Sequence, residues 1–119
     1  MEEQTATPAP ATELNVSERV ALHDKIVEKL RTVYDPEIPV NIYDLGLIYE
    51  VKVEPTADVY IKMTLTSPGC PAAGTLPGEV EDKTVVVPGV KGAKVDVVWE
   101  PTWTKEMMSE AAKLQLGFM

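Results

Sequence analysis

Three short segments of this chain alternate apolar and polar side chains with a period of two, and that small number limits what it can build. In 48–54, Tyr49, Val51 and Val53 fall on one face and Glu50, Lys52 and Glu54 on the other. In 58–65, Val59, Ile61, Met63 and Leu65 oppose Tyr60, Lys62 and Thr64. In 94–100, Val95, Val97 and Trp99 oppose Lys94, Asp96 and Glu100. Successive side chains of a strand point to opposite faces, so each segment predicts a strand buried on one side. A sheet with one apolar face must cover it, and helices are the only cover left in this sequence. Pro55-Thr56-Ala57 joins the first two segments over a span short enough for a hairpin.

The helices are legible beside the strands. The spacing predicts a helix over 17–34, with Val16, Val20, Ile26, Val27, Leu30, Val33 and Tyr34 on one side and Asp24, Lys25, Glu28 and Arg31 outside that stripe. Asn15 with Glu18, or Ser17 alone, can cap its free N–H groups, and Pro36 forbids continuation. Between the second and third strands, Leu76, Val80, Lys83 and Val87 share a face; Pro77 suits a first turn, Thr75 a cap, and Pro88-Gly89 a stop. The run Thr84-Val85-Val86-Val87 competes with that helix, because β-branched residues favour strands. A last helix is expected from Thr104, with Met107, Met108, Ala111 and Leu114 inward and Gly117 as its stop. The expected order is helix, strand, strand, helix, strand, helix: an α+β two-layer sandwich over a small three-stranded mixed sheet. Residues 1–15, acidic and then rich in Pro, Ala and Thr, read as a flexible tail, and 16–119 as one domain.

Composition narrows function more than fold. The formal net charge is −8 and no run of Lys or Arg occurs, which argues against a nucleic-acid or anionic-membrane partner. The acidic start is followed by no apolar stretch, so neither a signal peptide nor a membrane span is expected. With one cysteine there is no internal disulfide, and the cytoplasm is the expected compartment.

That cysteine, Cys70, stands in Thr66-Ser67-Pro68-Gly69-Cys70-Pro71, directly after a predicted strand and before a predicted helix. Prolines on both sides and a preceding glycine predict a rigid turn. A thiol near a helix N-terminus is biased toward the thiolate, the form that attacks and binds iron; the bland alternative is a buried, inert cysteine. One thiol is not a cluster site, since stable iron–sulfur centres usually take four protein ligands. A cluster would have to be shared across a homodimer, completed by a partner, or absent.

The segment Asp35-Pro36-Glu37-Ile38-Pro39-Val40-Asn41-Ile42-Tyr43-Asp44-Leu45-Gly46-Leu47 predicts a stiff loop carrying Asp35, Glu37 and Asp44. Those carboxylates suit a hard metal or a partner, but such acids more often cap turns, the role favoured for Asp44. His23 falls inside the apolar stripe of the first helix and reads as packed; no Cys–His catalytic pair is brought together by the sequence. Of Trp99 and Trp103, one is expected to face the core, with Trp103 a candidate for a docking surface.

The DPEIPVNIYDLGLIY, MTLTSPGCP and PTWTKEMMSEAAKLQLG segments, in this order and spacing, resemble the SufT/PaaD-like family, over roughly residues 20 to 119. The resemblance implies a small α+β fold and an accessory, non-enzymatic role in maturing iron–sulfur proteins. Its partners would be iron–sulfur assembly proteins and client apoproteins, with a cluster handled transiently and none stably bound. The family's reactive cysteine maps onto Cys70, its DPE motif onto Asp35, Pro36 and Glu37, and its threonine before the cysteine loop onto Thr64 or Thr66. The supporting loop then includes Pro68, Gly69 and Pro71, and the motif loop Asp44 and Gly46. The PaaD branch adds a cysteine-rich C-terminus that this sequence lacks.

Overall fold

A computed structural model describes residues 13–35, 38–66 and 74–117. Most of the expected N-terminal tail, Pro36 and Glu37 of the DPE motif, and the Pro68-Gly69-Cys70-Pro71 loop lie outside the described residues. The elements run α1 (Val16–Leu30), α2 (Ile42–Leu45), β1 (Ile48–Val53), β2 (Asp58–Met63), α3 (Leu76–Val85), β3 (Gly92–Val97), a 3-10 turn at Lys105–Met107 and α4 (Glu110–Leu116).

The sheet is three-stranded and mixed, as the pattern predicts. β1 and β2 are antiparallel, β2 and β3 parallel, in the order β1-β2-β3. Parallel neighbours need a crossover, and α3 supplies it. The β1–β2 hairpin closes on the expected Pro55-Thr56-Ala57. Ala57 adopts φ 74°, the left-handed residue that ends a three-residue hairpin loop. Val59, Ile61, Met63 and Leu65 are buried, and Leu22, Ile26 and Leu30 of α1 join them in one core with Leu45, Leu47, Leu76 and Val80. Each such side chain contributes roughly 1.5–3 kcal/mol by leaving water.

Several expectations need correction. α1 begins on the predicted capping box, Asn15 Oδ1 accepting from the Glu18 N–H at 2.8 Å and Glu18 Oε1 from the Asn15 N–H at 2.9 Å. It ends at Leu30, four residues before Tyr34, because the Thr32 hydroxyl donates to the Lys29 carbonyl at 2.6 Å and closes the last turn. Val33 is buried all the same, while Tyr34 pairs with Asn41 in an isolated bridge and stays exposed. Val16 and Val20 are also exposed, so the buried stripe runs through Leu22, Ile26 and Leu30. His23 is not packed away: its side chain is 40% exposed, with Nδ1 3.6 Å from Asp24 Oδ1.

α3 forms where expected, with Pro77 in its first turn, but Thr75 makes no side-chain cap. Thr84, not Lys83, is the inward residue, its hydroxyl satisfied by the Val80 carbonyl at 2.8 Å. β3 lies at 92–97, earlier than the predicted 94–100, which leaves Trp99 outside the strand and exposed. The last helix starts not at Thr104 but on a Ser109 cap, so Met108 and Ala112 face inward while Ala111 and Leu114 are exposed.

Candidate functional site

Within the 35–47 segment, expected as a loop, Ile42–Leu45 forms a four-residue helix. The Ile42 N–H donates to the Val33 carbonyl at 2.8 Å, beside the Tyr34–Asn41 bridge, so the backbone after α1 is tied to the start of α2. Asn41 caps α2, its Oδ1 accepting from the Asp44 N–H at 2.8 Å. Asp44 is not itself the cap. Its Oδ2 accepts from Asn41 Nδ2 at 2.8 Å and so holds the capping amide in place. Arg31 approaches from α1, its guanidinium 5.0 Å from the centre of the Tyr43 ring and its Nε 4.0 Å from Asp44 Oδ1. Asp35 is buried at 4% exposure, and its carbonyl accepts from the Ile38 N–H at 3.3 Å.

Gly46 ends α2 with φ 85°, a left-handed conformation that favours glycine. A second constraint acts on the same atom: a Cβ here would collide with the backbone carbonyl of Met107. The segment after β3 therefore lies directly on the α2 turn. Trp103 Nε1 donates to the Leu45 carbonyl at 2.7 Å, and the Ser109 N–H to the Asp44 carbonyl at 2.8 Å. Gln115 Nε2 reaches the Pro39 carbonyl at 2.9 Å. The two tryptophans thus exchange the parts expected of them. Trp103 is half-buried against the core and bonded; Trp99 is the exposed one.

β1 enters this assembly through a bulge. The register with β2 slips between Ile48 and Glu50, so alternation breaks there. Ile48 and Val51 both pack toward the core, and Tyr49, expected with Val51, instead donates its phenol to the Pro101 carbonyl at 2.7 Å. The Tyr49 phenol is raised above its usual value, first by burial, with the Glu100 charge adding and the Thr64 hydroxyl opposing. Thr64 follows β2, and its N–H donates to the Leu47 carbonyl at 2.8 Å. Its hydroxyl, in a residue only 1% exposed, faces the Tyr49 phenol but makes no hydrogen bond of regular geometry to another described residue. Buried hydroxyls are nearly always partnered, so this oxygen stands out. Thr66 is half-buried at a bend, four residues before Cys70 in the sequence.

At one end of the sheet, then, the structure joins Asp44, Gly46, Thr64 and Trp103 into one bonded unit. It is the end where β2 and β3 terminate, the Val98 N–H donating to the Met63 carbonyl at 2.8 Å. An open groove of about 870 Å³ runs beside it, lined by Tyr43, Gly46, Tyr49, Glu50, Glu100 and Met107 among others. Sequence reasoning assigned Tyr49 and Glu100 only to strand faces and Met107 to a helix interior. No local signal marks the bulge that gathers them. Among the described residues, no three of His, Cys, Asp and Glu are grouped to hold a metal ion, and no helix is long and apolar enough to cross a membrane.

The protein-family profile described as "Iron-sulfur cluster assembly protein" matches residues 23–97. The chain belongs to that iron–sulfur cluster assembly family. The motifs implied as much. A Porphyromonas gingivalis protein named Fe-S protein maturation auxiliary factor is 54% identical over 103 residues, covering 87% of this chain and 98% of that one. The Bacillus subtilis Fe-S protein maturation auxiliary factor YitW is 43% identical over 97 residues, covering 82% of this chain and 95% of its own. A crystal structure of a domain of unknown function from Bacillus anthracis superposes with a TM-score of 0.81 at 40% identity, over 88% of this chain and 100% of that chain. The family's α+β architecture, with its mixed three-stranded sheet, is the one described above.

Proposed function

We propose that this chain is a non-enzymatic auxiliary factor in the maturation of iron–sulfur proteins, acting in the cytoplasm on client apoproteins together with the assembly machinery. The observation that carries this reading is the 54% identity, over nearly the whole of both chains, to a protein named for that role. We further propose that Cys70 contacts the cluster transiently and that Thr64 serves the same step. The cluster is cargo here, not a resident cofactor, because one cysteine is too few ligands for a stable centre. Three features support placing the site at this end of the sheet. Ligands of open α/β sheets gather outside the carboxyl ends of the strands, where β2 and β3 stop. The chain runs from Thr64 through Thr66 directly into the Cys70 segment. A buried hydroxyl that makes no hydrogen bond of regular geometry among the described residues is retained there, beside the Tyr49 phenol.

The test is the specific activity of a four-iron enzyme such as an aconitase in cells that carry the chain, lack it, or carry Cys70→Ala or Thr64→Val at matched abundance. Deletion and Cys70→Ala should depress activity alike, with anaerobic iron and sulfide restoring it in extract. Thr64→Val keeps volume and removes only a hydroxyl without a regular hydrogen bond, so stability should stay within about 1 kcal/mol of the parent while cluster supply falls. Activity that survives Cys70→Ala but not deletion would make the protein a cluster-free adaptor instead.

A further inference from the structure

The outer edge of β1 and the exposed valines of α1 form one continuous surface at the far side of the sheet from β3. β1 stands first in the strand order, and its outer side has no strand partner among the described residues. The Glu54 N–H donates to the Asp58 carbonyl at 2.8 Å, and in an antiparallel ladder that bonding repeats at every second residue. Lys52 and Glu50 therefore turn their amides toward β2, while the N–H and C=O groups of Val51 and Val53 point out along the free edge. Beside that edge lies a groove of about 480 Å³ lined by Val51, Lys52 and Val53 and, from α1, by Val16, Arg19 and Val20. Val16 is 65% exposed and Val20 55% exposed. Arg19 Nε, by contrast, is buried and has no hydrogen-bond partner among the described residues. Outward backbone groups, apolar contact area and a buried N–H lacking an acceptor thus occur together.

We propose that this surface takes a second copy of the chain, by antiparallel pairing of the two β1 edges about a two-fold axis at Val51. The charges of the strand select that occupant. With Val51 opposite its own copy, Glu50 of each chain stands across from Lys52 of the other, giving two opposite-charge pairs. Sliding one strand by two residues sets Glu50 against Glu50 in one direction, or Lys52 against Lys52 in the other. Charges on an edge strand ordinarily discourage pairing. Here their alternation discourages the shifted registers and favours one. The intrachain neighbours, Lys52 with Glu54 at 3.3 Å and Lys62 with Glu50 at 3.9 Å, are exposed pairs that compete only weakly. The pairing extends the sheet to six strands, carries Val16 and Val20 of both copies toward the axis on the helical face, and brings backbone acceptors of the second copy's edge toward Arg19.

This inference is independent of the maturation role, since it is read on the purified chain without cluster, and its failure leaves the cellular test untouched. Sedimentation of the full chain over micromolar to sub-millimolar concentrations should show a reversible dimer. Glu50→Lys alone and Lys52→Glu alone each place like charges opposite one another at two sites, and each should weaken the dimer at least about tenfold. Mixing those two variants restores opposite charges at both sites, so the mixture should dimerise more tightly than either component. Circular dichroism matched to the parent chain shows that each variant is folded. A parent chain that stays monomeric throughout, a dimer indifferent to both reversals, or a mixture no tighter than its components would overturn the proposal.

Discussion

Two helices of this fold end on a glycine in the same conformation, and only one of those glycines is enclosed. Gly46 closes α2 at φ 85° and Gly117 closes α4 at φ 81°, each donating its N–H back into the last turn. A Cβ on Gly117 would meet nothing within 4 Å, whereas one on Gly46 would strike the Met107 carbonyl. The first requirement is local, written in the handedness of the backbone. The second exists only because a segment from the other end of the chain lies on the α2 turn. Comparing the two separates helix termination from the tertiary clamp that assembles the candidate site.

The largest effect should come from this pair. Gly117→Ala costs only the left-handed penalty, about 1–2 kcal/mol. Gly46→Ala adds displacement of backbone that cannot swing aside, for a total of about 2–5 kcal/mol. Urea midpoints of the two variants measure the difference directly. Equal losses would mean that the 101–109 segment gives way freely and that the clamp is loose.

Next in size is the tryptophan pair, which tests the clamp from its other side. Trp103→Phe keeps most of the ring's packing and removes the donor to the Leu45 carbonyl, at a cost of about 1–3 kcal/mol if that oxygen is left dry. Trp99→Phe, at an exposed position, should stay within about 0.5 kcal/mol of the parent. A smaller contrast holds between the asparagine caps. Asn41→Ala strips α2 of its cap and Asp44 of its partner, for about 1–2 kcal/mol. Asn15→Ala, at the exposed start of α1, should fall near 0.5–1 kcal/mol. Both are read by thermal or chemical denaturation.

What the sequence discloses follows the same division. The three strands, the hairpin turn, the capping box of α1 and the crossover helix are legible because their signals are local: period-two alternation, a Pro-containing three-residue turn, Asn15 with Glu18, and Pro77. Gly46 is legible as a position of unusual backbone, but its neighbour Met107 is not. α2 escapes notice because a four-residue helix is too short to show a period. The Trp99–Trp103 exchange escapes because it depends on β3 ending at Val97. Of the candidate site, the motifs locate Asp44, Gly46 and Thr64, whereas their joining through Leu45, Leu47 and Trp103 is a property of the packed chain.

Tyr49 is the sharpest such case, and it yields a prediction in alkali. Alternation assigns it to the core face with Val51, but the bulge sends its phenol to the Pro101 carbonyl. Burial raises the phenol above its ordinary value near 10 and outweighs the opposing effect of the Thr64 hydroxyl, with the charge of Glu100 adding a smaller rise. The folded state therefore holds this proton more tightly than the unfolded chain does. Its stabilising contribution is complete below about pH 10 and is lost as pH rises through the folded value, because the unfolded chain ionises first. Tyr60, raised by burial and by the carboxylates of Asp96 and Glu50, behaves alike but is present in both proteins under comparison and cancels. Urea unfolding of parent and Tyr49→Phe, at neutral pH and at several values above pH 10, resolves the effect. At neutral pH the variant should be less stable by about 1 kcal/mol, the worth of one hydrogen bond. The gap should narrow as pH rises, since only the parent loses stability at this site. A gap that stays constant into alkali would show that the phenol is free to ionise in the folded protein, and that the bulge does not hold it against Pro101.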